Sequence, residues 1–76
     1  MDHMKALTAV LREYDQATHK HGTFASPHEG YAVILEEMDE LWEEVKKNPK
    51  SNSAMRDEAI QVAAMALRFL TDCVED

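Results

Sequence analysis

Residues 26–47, SPHEGYAVILEEMDELWEEVKK, contain both the start signal and the repeating pattern of a long helix. Ser26 can cap the helix, Pro27 suits its first turn, and Glu29 completes a capping box. The two lysines suit a last turn, and Pro49 cannot continue the helix. The sequence therefore predicts a helix over residues 27–47.

Two further helices are predicted on either side of this one. Over residues 2–20, apolar side chains recur at the i, i+3, i+4, i+7 spacing of an amphipathic helix, and Gly22 can end it. Residues 51–53, SNS, offer caps for a third helix over residues 54–74. A short loop joins the second helix to the third, so these two should be antiparallel neighbours. We expect an all-α fold, with one domain over residues 1–76.

Composition narrows the classes of partner. The chain has 76 residues, of which 45% are hydrophobic, and a formal net charge of −7. Such a charge argues against non-specific nucleic-acid binding, which needs clustered lysine and arginine. No apolar run is long enough to cross a bilayer. Because Cys73 is the only cysteine, no internal disulfide can form, and we expect a reducing cytoplasm.

The second helix shows a wide apolar stripe, which predicts its core-facing side. The stripe consists of Tyr31, Ile34, Leu35, Met38, Trp42 and Val45. Glu36, Asp39 and Glu43 lie far from it and are predicted to be solvated. Glu37 differs from these three acids, because it falls at the edge of the stripe.

The third helix is apolar on two opposite faces. One face carries Ile60, Ala63, Ala64, Leu67, Leu70 and Val74, and the other carries Val62, Met65 and Phe69. A helix with two apolar faces must be covered twice, and three short helices cannot easily cover both. We therefore expect a dimer or tetramer, with the face of Val62, Met65 and Phe69 at its interface.

Four oxygen-bearing side chains repeat one spacing on the last two helices. Glu37 and Glu40 are three residues apart, as are Glu58 and Gln61, so each pair shares a helix face. In an antiparallel hairpin, Glu40 and Glu44 reach the level of Glu58. Such acids are either a solvated surface or a set of hard oxygen ligands for Mg²⁺ or Mn²⁺.

The segments LEEMDEL and DEAIQVAAMAL, at residues 35–41 and 57–67, resemble the MazG-like all-α nucleoside triphosphate pyrophosphohydrolases. That family carries an ExxE motif on one helix and an ExxD motif on the next, which together bind Mg²⁺. The similarity covers roughly residues 26–69. It implies that Glu37, Glu40 and Glu58 bind the metal and act in catalysis, and that a nucleoside triphosphate is cut to monophosphate and pyrophosphate.

The chain departs from the family pattern at Gln61, where the second motif would end in Asp. A glutamine carbonyl can coordinate a cation, but it carries no charge and cannot act as a base. Two hypotheses follow: a Mg²⁺-dependent pyrophosphohydrolase, or a helical dimer that has lost the chemistry and binds nucleotide or another protein. The sequence favours the first, because Glu37, Glu40 and Glu58 crowd against apolar faces.

Overall fold

A computed structural model describes residues 1–76 and contains three helices and no strand: α1 (His3–His21), α2 (Pro27–Val45) and α3 (Asn52–Cys73). The predicted all-α fold is confirmed. Helix α2 ends two residues earlier than expected, and Lys46 is its C-terminal cap. None of the three helices is both long enough and apolar enough to span a membrane.

Each helix begins at a side chain that accepts backbone N–H groups, namely Asp2, Ser26 and Ser51. The capping box of α2 forms, except that the Glu29 carboxylate accepts from the N–H of Ala25 and not from that of Ser26. Ser26 Oγ accepts the Glu29 N–H at 3.1 Å, while the Glu29 carboxylate accepts the Ala25 N–H at 3.3 Å. The local start signals of α2 and α3 are therefore used as the sequence predicts.

Helix α3 lies between the other two helices and packs against both, whereas α1 and α2 do not pack against each other. Gly30 of α2 lies against Phe69 of α3, and Glu40 lies close to Glu58. The start of α2 thus meets the end of α3, so the two helices form the predicted antiparallel hairpin.

The core is small, because only 6 of the 76 residues are buried. The apolar members of this core are Ala17, Phe24, Ala64 and Met65. They come from α1, from the connection between α1 and α2, and from α3. This core is small for a chain that leaves ten large apolar side chains exposed.

The predicted core stripe of α2 is wrong for four of its six residues. Tyr31 and Trp42 are 64% and 58% exposed, and Leu35 and Met38 are both half exposed. These four residues are exposed because α2 packs on α3 through Gly30, where an added Cβ would lie 2.7 Å from the Phe69 ring.

Because α2 approaches α3 so closely at Gly30, it turns a different face inward. Ile34, Glu37 and Leu41 share the Gly30 side of the helix at the i, i+4, i+7, i+11 spacing, and each is half-buried. Glu37 therefore lies on the inward face of α2 and not at its edge. Glu36, Asp39 and Glu43 are exposed, as predicted.

The two faces of α3 are not divided as predicted, although Ala64, on the expected core face, is fully buried. Met65, expected at an interface between copies, is 4% exposed, and Phe69 packs against the core. Leu70, expected in the core, is 60% exposed. The reason is that Phe24 and Gly30, both distant in sequence, pack on the Met65 side of α3.

Candidate functional site

A cleft of about 690 Å³ opens between α1 and α2, and α3 forms its floor. Thirteen residues line it, and most of them are polar. Glu37 contributes from α2, Lys20 and His21 from the last turn of α1, and Gln61 and Arg68 from α3. The cleft is therefore the place where the polar residues of all three helices meet.

Three of the four predicted site residues come together beside this cleft. Glu37 and Glu40 of α2 and Glu58 of α3 each present a carboxylate oxygen, and these oxygens lie within 4.8 Å of one another. We call this set the Glu trio. Gln61 lines the cleft with Glu37 and lies one turn beyond Glu58 on α3. The predicted spacing thus produces a set of oxygen ligands drawn from two helices.

No basic side chain neutralises the Glu trio. The two salt bridges of the protein join Lys46 to Glu43 at 2.9 Å and Lys47 to Glu44 at 2.7 Å. Glu44, which the sequence placed near Glu58, is therefore paired with a lysine of its own helix end. The trio is left with its negative charge concentrated in a small volume.

Two oxygens of the trio are shielded from water and have no hydrogen-bond partner, namely Glu37 Oε2 and Glu58 Oε2. An unsatisfied acceptor in such a position costs the free energy of its lost hydration, and the cost is larger for a charged group. A divalent cation would satisfy both oxygens and offset the repulsion between them. The donor set, all carboxylate oxygen, also matches the ligands that Mg²⁺ takes.

The same crowding raises the pKa of two carboxyls. Burial, followed by the charge of Glu40 and a hydrogen bond to it, raises the pKa of Glu37 from 4.5 to about 7. Burial and then the Glu40 charge also raise the pKa of Glu58. With the pKa of Glu37 at about 7, the trio is partly protonated at neutral pH when no cation neutralises its charge.

Among the cleft residues that sequence reasoning missed, Arg68 is the one with a buried charge. Its side chain is 3% exposed, although arginine is seldom buried without a carboxylate partner. The guanidinium donates to the Gly22 carbonyl at 2.9 Å and lies 4.2 Å from the centre of the Phe24 ring. The sequence feature that could have identified Arg68 is its position as the single basic residue of the apolar run AAMALRFL, residues 63–70.

Comparisons with family models, with curated proteins and with solved structures gave no match. The resemblance to MazG-like enzymes therefore rests on the residues quoted above. The geometry of the Glu trio and of the cleft is independent of it.

Proposed function

We propose that this protein is a Mg²⁺-dependent nucleoside triphosphate pyrophosphohydrolase that works in a reducing cytoplasm. The observation that carries the proposal is the Glu trio, with two shielded carboxylate oxygens that lack any partner. Its resemblance to the ExxE and ExxD metal motifs supports the same activity. The single free Cys73 is compatible with a reducing compartment.

Glu37, Glu40 and Glu58 would hold the ion, with Mn²⁺ as an acceptable substitute. When bound, the cation supplies positive charge for the phosphate oxygens and lowers the pKa of a coordinated water. A carboxylate of the trio would accept the proton of the water that attacks the α-phosphorus, and pyrophosphate would leave as its bond to that phosphorus breaks. The cleft beside the trio provides room for the rest of the nucleotide.

Gln61 supports a second candidate function, a nucleotide-binding or protein-interaction module without turnover. The family acid at this position would add a fourth negative ligand, and the glutamine amide does not. The unneutralised crowding at the other three positions favours the enzyme, because a surface without a cation gains nothing from that repulsion. We therefore rank the pyrophosphohydrolase first.

A second copy of the chain is part of the proposal, at a surface other than the one the sequence indicated. Nine large apolar side chains are exposed on the helices or, for Val74, at the C-cap of α3: Met4, Leu7, Leu11, Tyr31, Leu35, Met38, Trp42, Leu70 and Val74. We call this set the back face. At 100° per residue, its members on each helix point about 150–180° away from those that line the cleft.

The surface area of the chain supports this assembly. The accessible surface is 5583 Å², whereas a folded monomer of 8.7 kDa is expected to expose about 4,700 Å². The excess is close to the ~800 Å² that each partner buries in a standard interface. Pairing through the back face covers this apolar surface and leaves the cleft open.

The test is a panel of ribonucleoside and deoxyribonucleoside triphosphates, assayed with and without Mg²⁺ for release of pyrophosphate and of phosphate. We expect slow, Mg²⁺-dependent release of pyrophosphate that is lost in Glu58→Gln and kept in the matched control Glu43→Gln. Gln61→Asp restores the fourth negative charge and should raise the rate. If neither the wild type nor Gln61→Asp releases pyrophosphate, the enzyme is excluded and the binding module takes its place.

A further inference from the structure

Arg68 carries a buried charge whose hydrogen bonding is incomplete. Its guanidinium donates to the Gly22 carbonyl and, at 3.2 Å, to the sulfur of Met65, which is a weak acceptor. The Nε atom is shielded from water and has no partner, and no carboxylate lies within 4.0 Å of the side chain. A buried donor of this kind costs free energy unless a ligand supplies the acceptor.

Arg68 belongs to the wall of the cleft, on the same helix as Glu58. Arg68 lines the cleft together with Gln61 and Phe24. It is ten residues beyond Glu58, which at 1.5 Å per residue is about 15 Å along the axis of α3. The arginine side chain points back toward the start of its helix, as its contact with Met65 shows. The distance along the axis from Glu58 to the guanidinium is therefore shorter, about 10 Å.

A phosphate chain held at the Glu trio does not extend that far, whereas the base of the same nucleotide does. The charge of the cleft also favours a neutral group at Arg68 over a second anion. The carboxylates that line the cleft are Glu13, Glu29, Glu36 and Glu37, against the basic side chains Lys20 and Arg68. An isolated anion would be repelled by this surplus of acids, but an uncharged carbonyl oxygen would not.

We propose that Arg68 determines base specificity by donating its free Nε–H to an exocyclic carbonyl oxygen of the nucleobase. This inference rests on the proposed function, and it adds the substrate class: nucleotides with a keto base. Guanine carries this oxygen at carbon 6, and thymine and uracil carry it at the equivalent carbon 4, whereas adenine and cytosine present an amino group at the same edge. With adenine, two donors would face each other and the buried Nε–H would stay unpaired, which disfavours binding.

The test compares two ligands that differ at one position of the purine. The α,β-methylene triphosphates of inosine and adenosine carry a carbonyl and an amino group, respectively, at carbon 6, and neither is cut at the bond in question. Dissociation constants are measured by calorimetry in Mg²⁺. We expect the wild type to bind the inosine ligand about 10- to 100-fold more tightly, the usual effect of one hydrogen bond from a charged donor.

Variants then assign the preference to Arg68. Arg68→Gln should bring the two dissociation constants to within about threefold of each other, while the matched control Arg56→Gln, at an exposed position of α3, should keep the wild-type ratio. Helicity and melting temperature show whether each variant is folded. If Arg68→Gln does not fold, equal wild-type affinities for the two ligands would still overturn the role of Arg68.

The outcomes separate this inference from the proposed function. Pyrophosphate release from adenosine and inosine triphosphates at equal efficiency would overturn the role of Arg68 and leave the enzyme intact. A preference for inosine that persists in folded Arg68→Gln would overturn it as well. If neither ligand binds, the inference and the nucleotide function fail together.

Discussion

Binding of Mg²⁺ to the Glu trio should depend on pH, because the cation competes with a proton for Glu37. The pKa of Glu37 is raised to about 7, and the carboxylate must be ionised to coordinate the metal. At pH 8 about nine tenths of this group is ionised, and at pH 6 about one tenth is. The dissociation constant for Mg²⁺ should therefore be about tenfold higher at pH 6 than at pH 8.

Isothermal calorimetry at the two pH values measures this ratio. Repeating the titration in buffers of different ionisation enthalpy counts the protons released, which should approach one per Mg²⁺ near pH 6. Glu37→Gln should bind Mg²⁺ more weakly and with a smaller change between pH 6 and 8 than the wild type. The matched control Glu43→Gln removes an exposed carboxylate paired with Lys46 and should behave as the wild type does. Equal affinity at both pH values, or equal losses in the two variants, would refute the argument.

Three further predictions follow from the packing and the charges. Without metal, the free energy of unfolding should fall as the pH rises from about 4.5 to 7, because the folded chain holds a proton on Glu37 that the unfolded chain has already lost. Urea titrations should show a smaller slope in Glu37→Gln than in the wild type, since Glu58 keeps its raised pKa in the variant. Gly30→Ala should lower the free energy of unfolding by about 1–2 kcal/mol, because the clash with the Phe69 ring exceeds the gain in helix propensity. An unchanged urea midpoint would show that Phe69 can move aside. Met38→Lys, on the back face, should give a folded protein whose mass by light scattering is that of a monomer, while Met65→Lys, in the core, should lose helicity. A Met38→Lys protein with the wild-type mass would exclude the back face as the interface.

The features that were predicted correctly depend on local sequence. Ser26 and Pro27 start α2 wherever the helix packs, because an N-cap and a first-turn proline act within one turn. The meeting of Glu37 and Glu40 with Glu58 follows from their spacing and from the short connection between α2 and α3. The helix start holds whichever side of α2 faces inward, whereas the meeting of the acids also requires the Glu37 side of α2 to face α3.

The features that were missed depend on contacts between residues distant in sequence. Hydropathy gives Gly30 no weight, yet the space above its missing side chain admits Phe69 and sets the rotation of α2. An apolar pattern on two faces of α3 cannot say which one Phe24 will cover. Arg68 was overlooked because a charged residue is expected outside, whereas the carbonyl of Gly22 and the ring of Phe24 hold it inside.

The central claim is that three particular carboxylates, rather than the acidic surface as a whole, hold the divalent cation. A Mg²⁺ titration followed by the side-chain carboxyl ¹³C resonances of the glutamates tests it most directly. We predict that Glu37, Glu40 and Glu58 shift together along one saturating curve, while the exposed Glu36 and Glu43 shift little. Weak shifts of all the glutamates in parallel, without saturation, would contradict the account and leave the trio as part of a solvated surface.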